Sequence, residues 1–435
     1  MAKPLRGFGN ELDSEAPGYE GILPEDNNPQ KLERNLKTEQ LSGSAFTSMP
    51  RANNKRSWLY RLSPSVGHTK FRLIPRHEHN LDFESGTVDP NQRRWTPMKR
   101  LEGCDLDFVK GLRTLAYSNS QGQESIAIHL YQANRDMGNT CFFNSDGHFL
   151  IVPQQGTLEV ITEFGCLTVE PCEIVVIPQG IKFSVNRKSC DSVDYISGYV
   201  LELKGNHFEL PNLGAMGANG LANPRDFIAP SASLGDTSQQ DFRLINKFGN
   251  ELFEARQNWS PYNVAGWKGN YYPYKYNLNR FTTINSVSVD HPDPSIFTVL
   301  TCPSAGRPGT ALADFVIFPP RWECAIDTFR PPYFHRNCMT EFMGLIKGQY
   351  QAKGAKFAPG GASLHQAMAA HGPDYESYVK AINEDTKKPN RVADGTMAFM
   401  FETSLMLKVT KWAQTNNVDE DYLECWKGIN EMNIS

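Results

Sequence analysis

The sequence predicts a mainly β protein built as an antiparallel sandwich or barrel. Its 28 prolines and 34 glycines are spread along 435 residues and interrupt any long helical pattern. Between them lie short runs of β-branched and aromatic residues that end at turn residues, as in antiparallel β domains. At roughly 100 to 200 residues per domain, the length favours two domains or one large two-part fold.

Individual elements can be placed from the same pattern. Short apolar runs predict strands at 149–152, 158–161, 173–177, 199–203, 295–300 and 313–318. Helical periodicity predicts helices only over 376–384, 396–413 and 418–428. The first 60 residues are polar and turn-rich, so we expect an irregular arm packed on the body. A boundary near residue 285 divides the chain into a large β-rich part, 1–285, and a smaller part, 286–435.

Composition excludes several classes of function. The 44 Lys and Arg residues against 48 Asp and Glu give a net charge of -4, which provides no basic field for nucleic acid. Nothing approaches 18 consecutive apolar residues, and the first residues lack an apolar signal core. We therefore expect a cytoplasmic protein without a membrane partner. The nine cysteines contain no C-x-x-C pair, so we expect reduced thiols rather than zinc sites or disulfides.

A candidate metal site lies in the smaller part. His335 is followed by Glu341 six residues later and by Gly348 seven residues beyond that. On paired antiparallel strands, this spacing can bring the imidazole and the carboxylate to one inward face. A third ligand would complete two histidines and one carboxylate, the facial triad of non-heme Fe(II) oxygenases. Spacing alone leaves His365 and His371 as rival third ligands.

The same spacing resembles the first cupin motif, His-x-His-x3-Glu-x6-Gly. Asn337 stands where that motif has its second histidine. The second motif, Pro-x-Gly-x2-His, is approximated by Pro359-Gly360-Gly361, with His365 one residue late.

The sequence as a whole is similar to the homogentisate 1,2-dioxygenase family. The resemblance is carried by the segments 335–344, 359–365 and 371–374 around the candidate site, and by 41–46, 54–60, 217–227 and 290–295 elsewhere. It runs from about residue 7 to about residue 428, and the segments agree in order and spacing. Residues 231–240 and the tail after residue 413 fit least well.

The resemblance implies a jelly-roll or cupin-like β-sandwich with one ferrous iron per subunit, assembled as a homohexamer from two trimers. His335, Glu341 and His371 are the implied iron ligands, so His365 belongs to the substrate pocket. His291 has the position of the catalytic proton acceptor. The implied substrate-binding residues are Tyr350, His365, His371 and Asn337.

The implied reaction is Fe(II)-dependent, extradiol-type ring cleavage of homogentisate with O2. It yields maleylacetoacetate in tyrosine and phenylalanine catabolism. Two other functions remain compatible with such a barrel. One is a non-catalytic cupin that binds or stores a small ligand, and the other is a metal-dependent isomerase or hydrolase.

The larger part repeats the motif spacing without metal ligands. Phe143, Phe149 and Gly156 reproduce the spacing of His335, Glu341 and Gly348. Phe183 falls where the second motif would supply its histidine. Phenylalanine has no lone pair for a metal, so we expect these rings to fill a degenerate, metal-free cupin-like part.

Overall fold

The chain forms a mainly β structure with short helices. The computed structural model describes residues 4–429 except 46, 101–103, 119–123, 189–192, 214–220, 237, 239, 284–296 and 355. The α-helices are α1 (Phe108–Gly111), α2 (Tyr375–Ile382) and α3 (Lys411–Thr415). Short 3-10 helices cover Glu33–Asn35, Arg51–Asn53, Arg76–Glu78, Pro224–Asp226, Leu278–Arg280 and Tyr422–Trp426.

The strands follow one another with short connections. The first are β1 (Leu5–Arg6), β2 (Leu12–Glu15), β3 (Lys37–Ser42), β4 (Arg56–Arg61), β5 (Arg72–Leu73), β6 (Arg93–Trp95), β7 (Leu112–Tyr117), β8 (Ser125–Ala133), β9 (Thr140–Asn144), β10 (His148–Gln155), β11 (Leu158–Thr162), β12 (Gly165–Val169), β13 (Glu173–Ile177), β14 (Phe183–Arg187) and β15 (Ile196–Lys204). They continue as β16 (Ile228–Ala229), β17 (Phe242–Phe248), β18 (Glu251–Gln257), β19 (Val264–Gly269), β20 (Tyr274–Asn277), β21 (Thr298–Pro303), β22 (Ala311–Phe318), β23 (Arg321–Glu323), β24 (Thr340–Lys347), β25 (Ala362–His365), β26 (Asn390–Val392), β27 (Met397–Thr403) and β28 (Lys408–Val409).

A nine-stranded sheet is the centre of the fold, in the order β1-β16-β20-β13-β10-β15-β8-β7-β28. A seven-stranded sheet has the order β12-β11-β14-β9-β17-β18-β5, and a six-stranded sheet has the order β21-β22-β27-β24-β25-β6. Their pairings are antiparallel except that of β9 with β17, which is parallel. Two smaller sheets have the orders β2-β19-β4-β3 and β23-β26.

Both faces of the central sheet are buried, and β10 shows why. Successive strand residues point to opposite faces. Leu150 and Val152 accordingly join the core shared with the six-stranded sheet. Phe149 and Ile151 join the second core, which packs against the seven-stranded sheet. The mainly β, cupin-like sandwich that the sequence predicts is therefore confirmed.

Most strand predictions are confirmed, and the helix predictions less so. Five predicted strands lie within β10, β11, β13, β15 and β22, and the sixth overlaps β21 from Thr298. The helix predicted over 376–384 corresponds to α2. The helix predicted over 396–413 is wrong, because β27 and β28 occupy half of it and only its last three residues fall in α3. β27 is flanked by β22 and β24, and its continuous apolar run carries no alternation to distinguish it from a buried helix. Of 418–428, only Tyr422–Trp426 is helical.

The prediction of an irregular arm over the first 60 residues is also wrong. β2 and β4 pair with β19, and β3 pairs with β4, in a four-stranded sheet in which Leu59 and Tyr60 are fully buried. The strands are short and flanked by polar turns, so their partner, which is more than 200 residues away, decides their structure.

The predicted phenylalanine cluster exists, with one residue exchanged. Phe149 and Phe183 are buried, and the third ring is Phe142, which stacks on Phe149 with 5.8 Å between centroids. Phe143 points the other way, towards Phe71. The spacing comparison misplaced this position by one, and one residue reverses the face of a strand.

Three further sequence expectations concern the domain boundary, the cysteines and membrane-spanning segments. The predicted boundary between 285 and 286 lies outside the described residues. The eight cysteines that the structure describes are free thiols. No helix in the described part of the chain is long and apolar enough to cross a membrane.

Candidate metal centre

His335, Glu341 and His371 form a compact cluster at one end of the six-stranded sheet. One possible ligand atom from each lies within 4.8 Å of the others. The Oε2 atom of Glu341 is 2.9 Å from Nε2 of His371, and its Oε1 atom is 3.7 Å from Nε2 of His335. Within the described residues, this is the group of His, Cys, Asp and Glu side chains whose geometry can hold a metal ion.

Backbone pairing brings the two histidines together. His335 lies before β24 and His371 lies after β25, and a single antiparallel bridge joins them. The amide of His335 donates to the carbonyl of His371 at 2.9 Å, and the reverse bond measures 3.1 Å. The ring centroids are therefore only 4.2 Å apart. Glu341 lies on β24, whereas His335 lies in the segment before this strand. The expectation that paired antiparallel strands carry both residues is therefore only partly met.

The hydrogen bonds of both imidazoles leave Nε2 available for a metal. Nδ1 of His335 lies 2.6 Å from the carbonyl of Tyr333, and Nδ1 of His371 lies 2.9 Å from the carbonyl of Ala369. A carbonyl can only accept, so each Nδ1 donates and the neutral ring has its lone pair on Nε2. Nε2 of His371 lies within hydrogen-bonding distance of Oε2 of Glu341, so a metal ion bound here would take the place of the proton between them. Three converging acceptors fit a cation between them, and carbonyl contacts of this kind are usual for metal-bound histidines.

The carboxylate is ionised and oriented. Burial alone would raise the pKa of Glu341, but the neighbouring His335 and His371 hold it well below its usual range. The side-chain amide of Asn337 donates to Oε1 of Glu341 at 2.8 Å. The Oδ1 atom of Asn337 accepts from the amide of Met339 at 3.0 Å, which fixes the side chain. Asn337 thus contacts a candidate ligand directly.

His365 lies beside the cluster rather than in it. It is the cross-strand partner of Glu341 in the β24–β25 pair, and its ring stacks on His371 with 4.1 Å between centroids. Burial, together with Lys353, lowers its pKa well below the usual value, so the ring is neutral. Between the two histidines that spacing left open, the geometric cluster contains His371.

Tyr422 is a contact that the sequence analysis missed. Its hydroxyl lies 2.9 Å from Nε2 of His365, and the Arg94 guanidinium covers its ring at 4.4 Å. In the same 3-10 helix, the indole of Trp426 donates to the carbonyl of Pro373 at 3.0 Å. Both residues belong to the tail that fits the family least well. Tyr422 and Trp426 form an aromatic pair four residues apart in the sequence, and this spacing could have indicated a packed segment here.

Tyr350, another predicted residue, lies outside the cluster. Tyr350 packs on Phe318 and lines a cavity of about 530 Å³ together with Lys353 and Thr396. None of the three cluster residues lines this cavity. Burial raises the pKa of Tyr350 above its usual value. His291 lies outside the described residues, so its role stays a prediction.

Comparison with known proteins covers nearly the whole chain. Residues 3–278 match the model of the homogentisate 1,2-dioxygenase N-terminal domain, and residues 279–433 match that of the C-terminal domain. Homogentisate 1,2-dioxygenase of Homo sapiens is 53% identical over 434 residues, covering 98% of this chain and 96% of that protein. Those of Caenorhabditis elegans and Arabidopsis thaliana are 52% and 49% identical, covering 98% and 97% of this chain and 97% and 91% of their own length.

The chain also shows a distant likeness to a solved structure. A nickel-bound bacterial pirin from Escherichia coli has a TM-score of 0.27 and 9% identity, and the match covers 77% of this chain and 99% of the pirin chain. The assignment therefore rests on sequence, since both family models and the curated relatives agree over its length. The chain belongs to the homogentisate 1,2-dioxygenase family.

Proposed function

We propose that the chain is an Fe(II)-dependent ring-cleaving dioxygenase of the extradiol type. It would convert homogentisate and O2 to maleylacetoacetate in tyrosine and phenylalanine catabolism. The observation that carries the proposal is the convergence of two Nε2 atoms and one carboxylate, in a chain 53% identical to a homogentisate 1,2-dioxygenase. Two imidazoles and a carboxylate are the ligand set of non-heme iron oxygenases.

His335, Glu341 and His371 would hold the metal. Ferrous iron bound there would supply adjacent open positions for substrate oxygens and O2, and electron density to activate O2. Asn337 would keep the Glu341 carboxylate in its orientation through the bond to Oε1. This assigns Asn337 a positioning role beside its predicted substrate contact.

Substrate binding requires the removal of a proton. Homogentisate is a hydroquinone with an acetate arm, and a free phenol titrates near pH 10. Histidine titrates near neutrality and suits a general base. We assign to His291 the acceptance of the proton from the hydroxyl next to the acetate-bearing carbon. The support is its position in the family motif.

His365 would present a hydrogen-bond donor to the substrate. Burial raises the pKa of Tyr422, so its hydroxyl keeps its proton and needs an acceptor. Nε2 of His365 lies at 2.9 Å and can accept it. The proton of the neutral ring then sits on Nδ1, where it can bind a substrate oxygen. Tyr350 would contact the acetate arm, a role that rests on the family resemblance.

The remaining proposals concern assembly and organisation. We propose a cytoplasmic homohexamer made of two trimers, with a metal-free cupin-like part in 1–285 and the catalytic part in 286–435. The support is the family resemblance. Sedimentation velocity of the purified chain should give the mass of six copies, and a monomer would contradict the assembly.

Iron loading and oxygen uptake test the function together. Protein loaded anaerobically with Fe(II) should hold about one iron per chain. With homogentisate and O2 it should consume O2 while the absorbance of the ring-opened product rises. A loaded protein that consumes no O2 with homogentisate would contradict the dioxygenase and favour an isomerase, a hydrolase or a binding protein.

Matched variants test the ligand set. Glu341→Ala should lose iron and activity but keep its circular dichroism spectrum, because a ligand is removed from a strand that keeps its backbone pairs. Glu25→Ala, at an exposed position, is the control. Full iron occupancy in Glu341→Ala would exclude Glu341 as a ligand. A reproducible ratio near two irons per chain would contradict a metal-free N-terminal part.

A further inference from the structure

A small cavity lies in the N-terminal part, among aromatic rings and a few polar side chains, and no residue of the metal cluster lines it. It has a volume of about 30 Å³ and is lined by residues that include Phe8, Lys55, His148, His207 and Tyr271. No Asp or Glu lines it. Its walls come from the segment after β1, the residue before β4, the start of β10 and the segments after β15 and β19.

His207 carries an unused hydrogen-bonding atom in this cavity. Its side chain is only 7% exposed, and its Nε2 atom has no partner among the described residues. The ring is wedged between His148 and Tyr271, at centroid distances of 5.3 and 5.5 Å. Burial and the nearby Lys55 lower its pKa to about 4, so it is neutral near pH 7. A buried polar atom without a partner is destabilising, and a bound group that forms a hydrogen bond with it would offset this cost.

His148 offers a donor and cannot offer a metal ligand. Its Nδ1 atom accepts a hydrogen bond from the amide of Gln179 at 3.0 Å. The accepting nitrogen carries no proton, so the neutral ring holds its proton on Nε2. Burial, with His207 and Lys55, lowers the pKa of His148 to about 3, so the ring stays neutral. Both nitrogens are thus unavailable to a cation.

Lys55 supplies the charge. The residue is half-buried and lines the cavity, and its ammonium has no hydrogen-bond or ion-pair partner within the described part of the chain. Burial lowers its pKa and the exposed Glu209 raises it. An ammonium with no paired carboxylate, next to imidazole N–H groups, attracts an anion and repels a cation.

We propose that this cavity binds a small monoanion, either a halide or the carboxylate of a small organic acid. Lys55 would supply the charge, and the imidazoles of His148 and His207 would supply the hydrogen bonds. A water-sized atom needs about 10–15 Å³ of such space, so the cavity accommodates roughly two. Two carboxylate oxygens or one halide fit this size. The site is independent of the iron chemistry, because none of its residues belongs to the metal cluster.

Thermal unfolding of the full chain at constant ionic strength tests the proposal. Sodium chloride, bromide, formate and acetate are titrated separately. Sodium sulfate, whose anion is bulkier, replaces each of them to keep the ionic strength constant. The unfolding temperature should rise and saturate with the small anions, and competition between bromide and acetate should identify the preferred class. Equal behaviour of sulfate and every small anion would overturn the proposal.

Two lysine variants test whether the stabilisation by anions arises at this cavity. Lys55→Met should weaken the anion response by about 10-fold or more, since a charge-assisted bond contributes roughly 1.5–3 kcal/mol. Lys70→Met, at an exposed lysine, should leave the response unchanged. The same response in Lys55→Met as in the unchanged chain would contradict the site.

Crystals of the unchanged protein give a readout that needs no variant. After a bromide soak, an anomalous peak should lie in the cavity within hydrogen-bonding reach of Lys55 and His207. Oxygen turnover should be the same with and without bromide. A cavity that holds only water at saturating bromide would overturn the proposal, whatever the stability of the variants.

Discussion

Exposure differs among the three residues of the metal cluster. The side chain of His335 is 30% exposed, while those of His371 and Glu341 are 9% and 11% exposed. Access to the cluster is therefore from the side of His335. The hydrogen bonds behind each imidazole run to backbone carbonyls, so both rings are oriented without a second charged residue.

Replacement of the proposed base should separate proton transfer from metal binding. His291→Ala should keep its iron and lose turnover by roughly 10²- to 10⁴-fold, the usual contribution of a general base. The loss should shrink at high pH, where the substrate ionises unaided. Steady-state oxygen uptake across pH measures this, with His77→Ala at an exposed position as control. Unchanged turnover near neutrality would remove His291 from the mechanism.

Removal of one hydroxyl should test the tautomer of His365. Tyr422→Phe should keep its iron and lose about 2- to 10-fold in kcat/KM, because one net hydrogen bond contributes about 0.5–1.5 kcal/mol. Tyr131→Phe is the control, since the buried hydroxyl of Tyr131 has no partner among the described residues. Equal losses in the two variants would indicate a packing effect and not a role of Tyr422 through His365.

At the level of elements, β24 connects the site to the core. It pairs with β25 on one side and β27 on the other, and it carries Glu341 at its second residue. It ends at Lys347 and is followed by Gly348, whose φ of +79° favours glycine. A Cβ atom there would lie 2.3 Å from Oγ1 of Thr396. That hydroxyl bonds the backbone of Gln349 in both directions, so it cannot move aside easily.

Two neighbouring glycines should respond differently to alanine. Gly395→Ala should cost about 1–2 kcal/mol of unfolding free energy, because its φ of +72° is left-handed and its Cβ would meet nothing within 4 Å. Gly348→Ala should cost about 1–3 kcal/mol more, because the overlap with Thr396 adds to the same backbone strain. Urea unfolding of both variants measures the difference. Equal costs would show that the turn relaxes around the added methyl group.

At the scale of the whole molecule, the central sheet carries a buried ionic network. The ammonium of Lys247 lies 2.7 Å from carboxylate oxygens of both Asp146 and Glu202. Glu202 also faces Nε2 of His129 at 3.0 Å. Each charged group in the network has a partner of opposite charge. Because Lys247 lies on β17 and Glu202 on β15, the network connects the seven-stranded sheet to the nine-stranded sheet. Breaking one partner would leave a buried charge without compensation.

Acid should weaken the fold through this network. Burial would raise the pKa of Glu202, but Lys247 and His129 lower it to about 2 from an ordinary 4.5. The contribution to stability is present above about pH 4.5 and is lost as the pH falls towards 2, because the unfolded chain takes up the proton first. The slope is about 1.4 kcal/mol per pH unit. Urea unfolding of the metal-free chain between pH 5 and pH 2 measures it.

Two Glu→Gln variants test whether Glu202 is the source of this acid dependence. Glu202→Gln should be less stable at neutral pH and should lack this part of the slope, because no carboxylate remains to be protonated. Glu25→Gln, at an exposed position, should keep the slope of the unchanged chain. An identical slope in Glu202→Gln would place the acid sensitivity elsewhere.

The sequence by itself determined the fold class and part of the site. Short apolar runs between turn residues encode strands locally, so five strands were located without tertiary information. The spacing of His335 and Glu341 is local as well, and it indicated metal chemistry before any comparison. Family resemblance added His371 as the third candidate ligand.

The tertiary structure decided those pairings and contacts that local sequence patterns do not encode. The pairing of His335 with His371, the strand at Met397–Thr403 and the choice of Phe142 over Phe143 each depend on which distant segment lies opposite. Tyr422 reaches His365 from 57 positions along the chain. Periodicity and spacing describe only neighbours in sequence. Burial and hydrogen bonding act between neighbours in space, and the folded sheets alone bring those neighbours together.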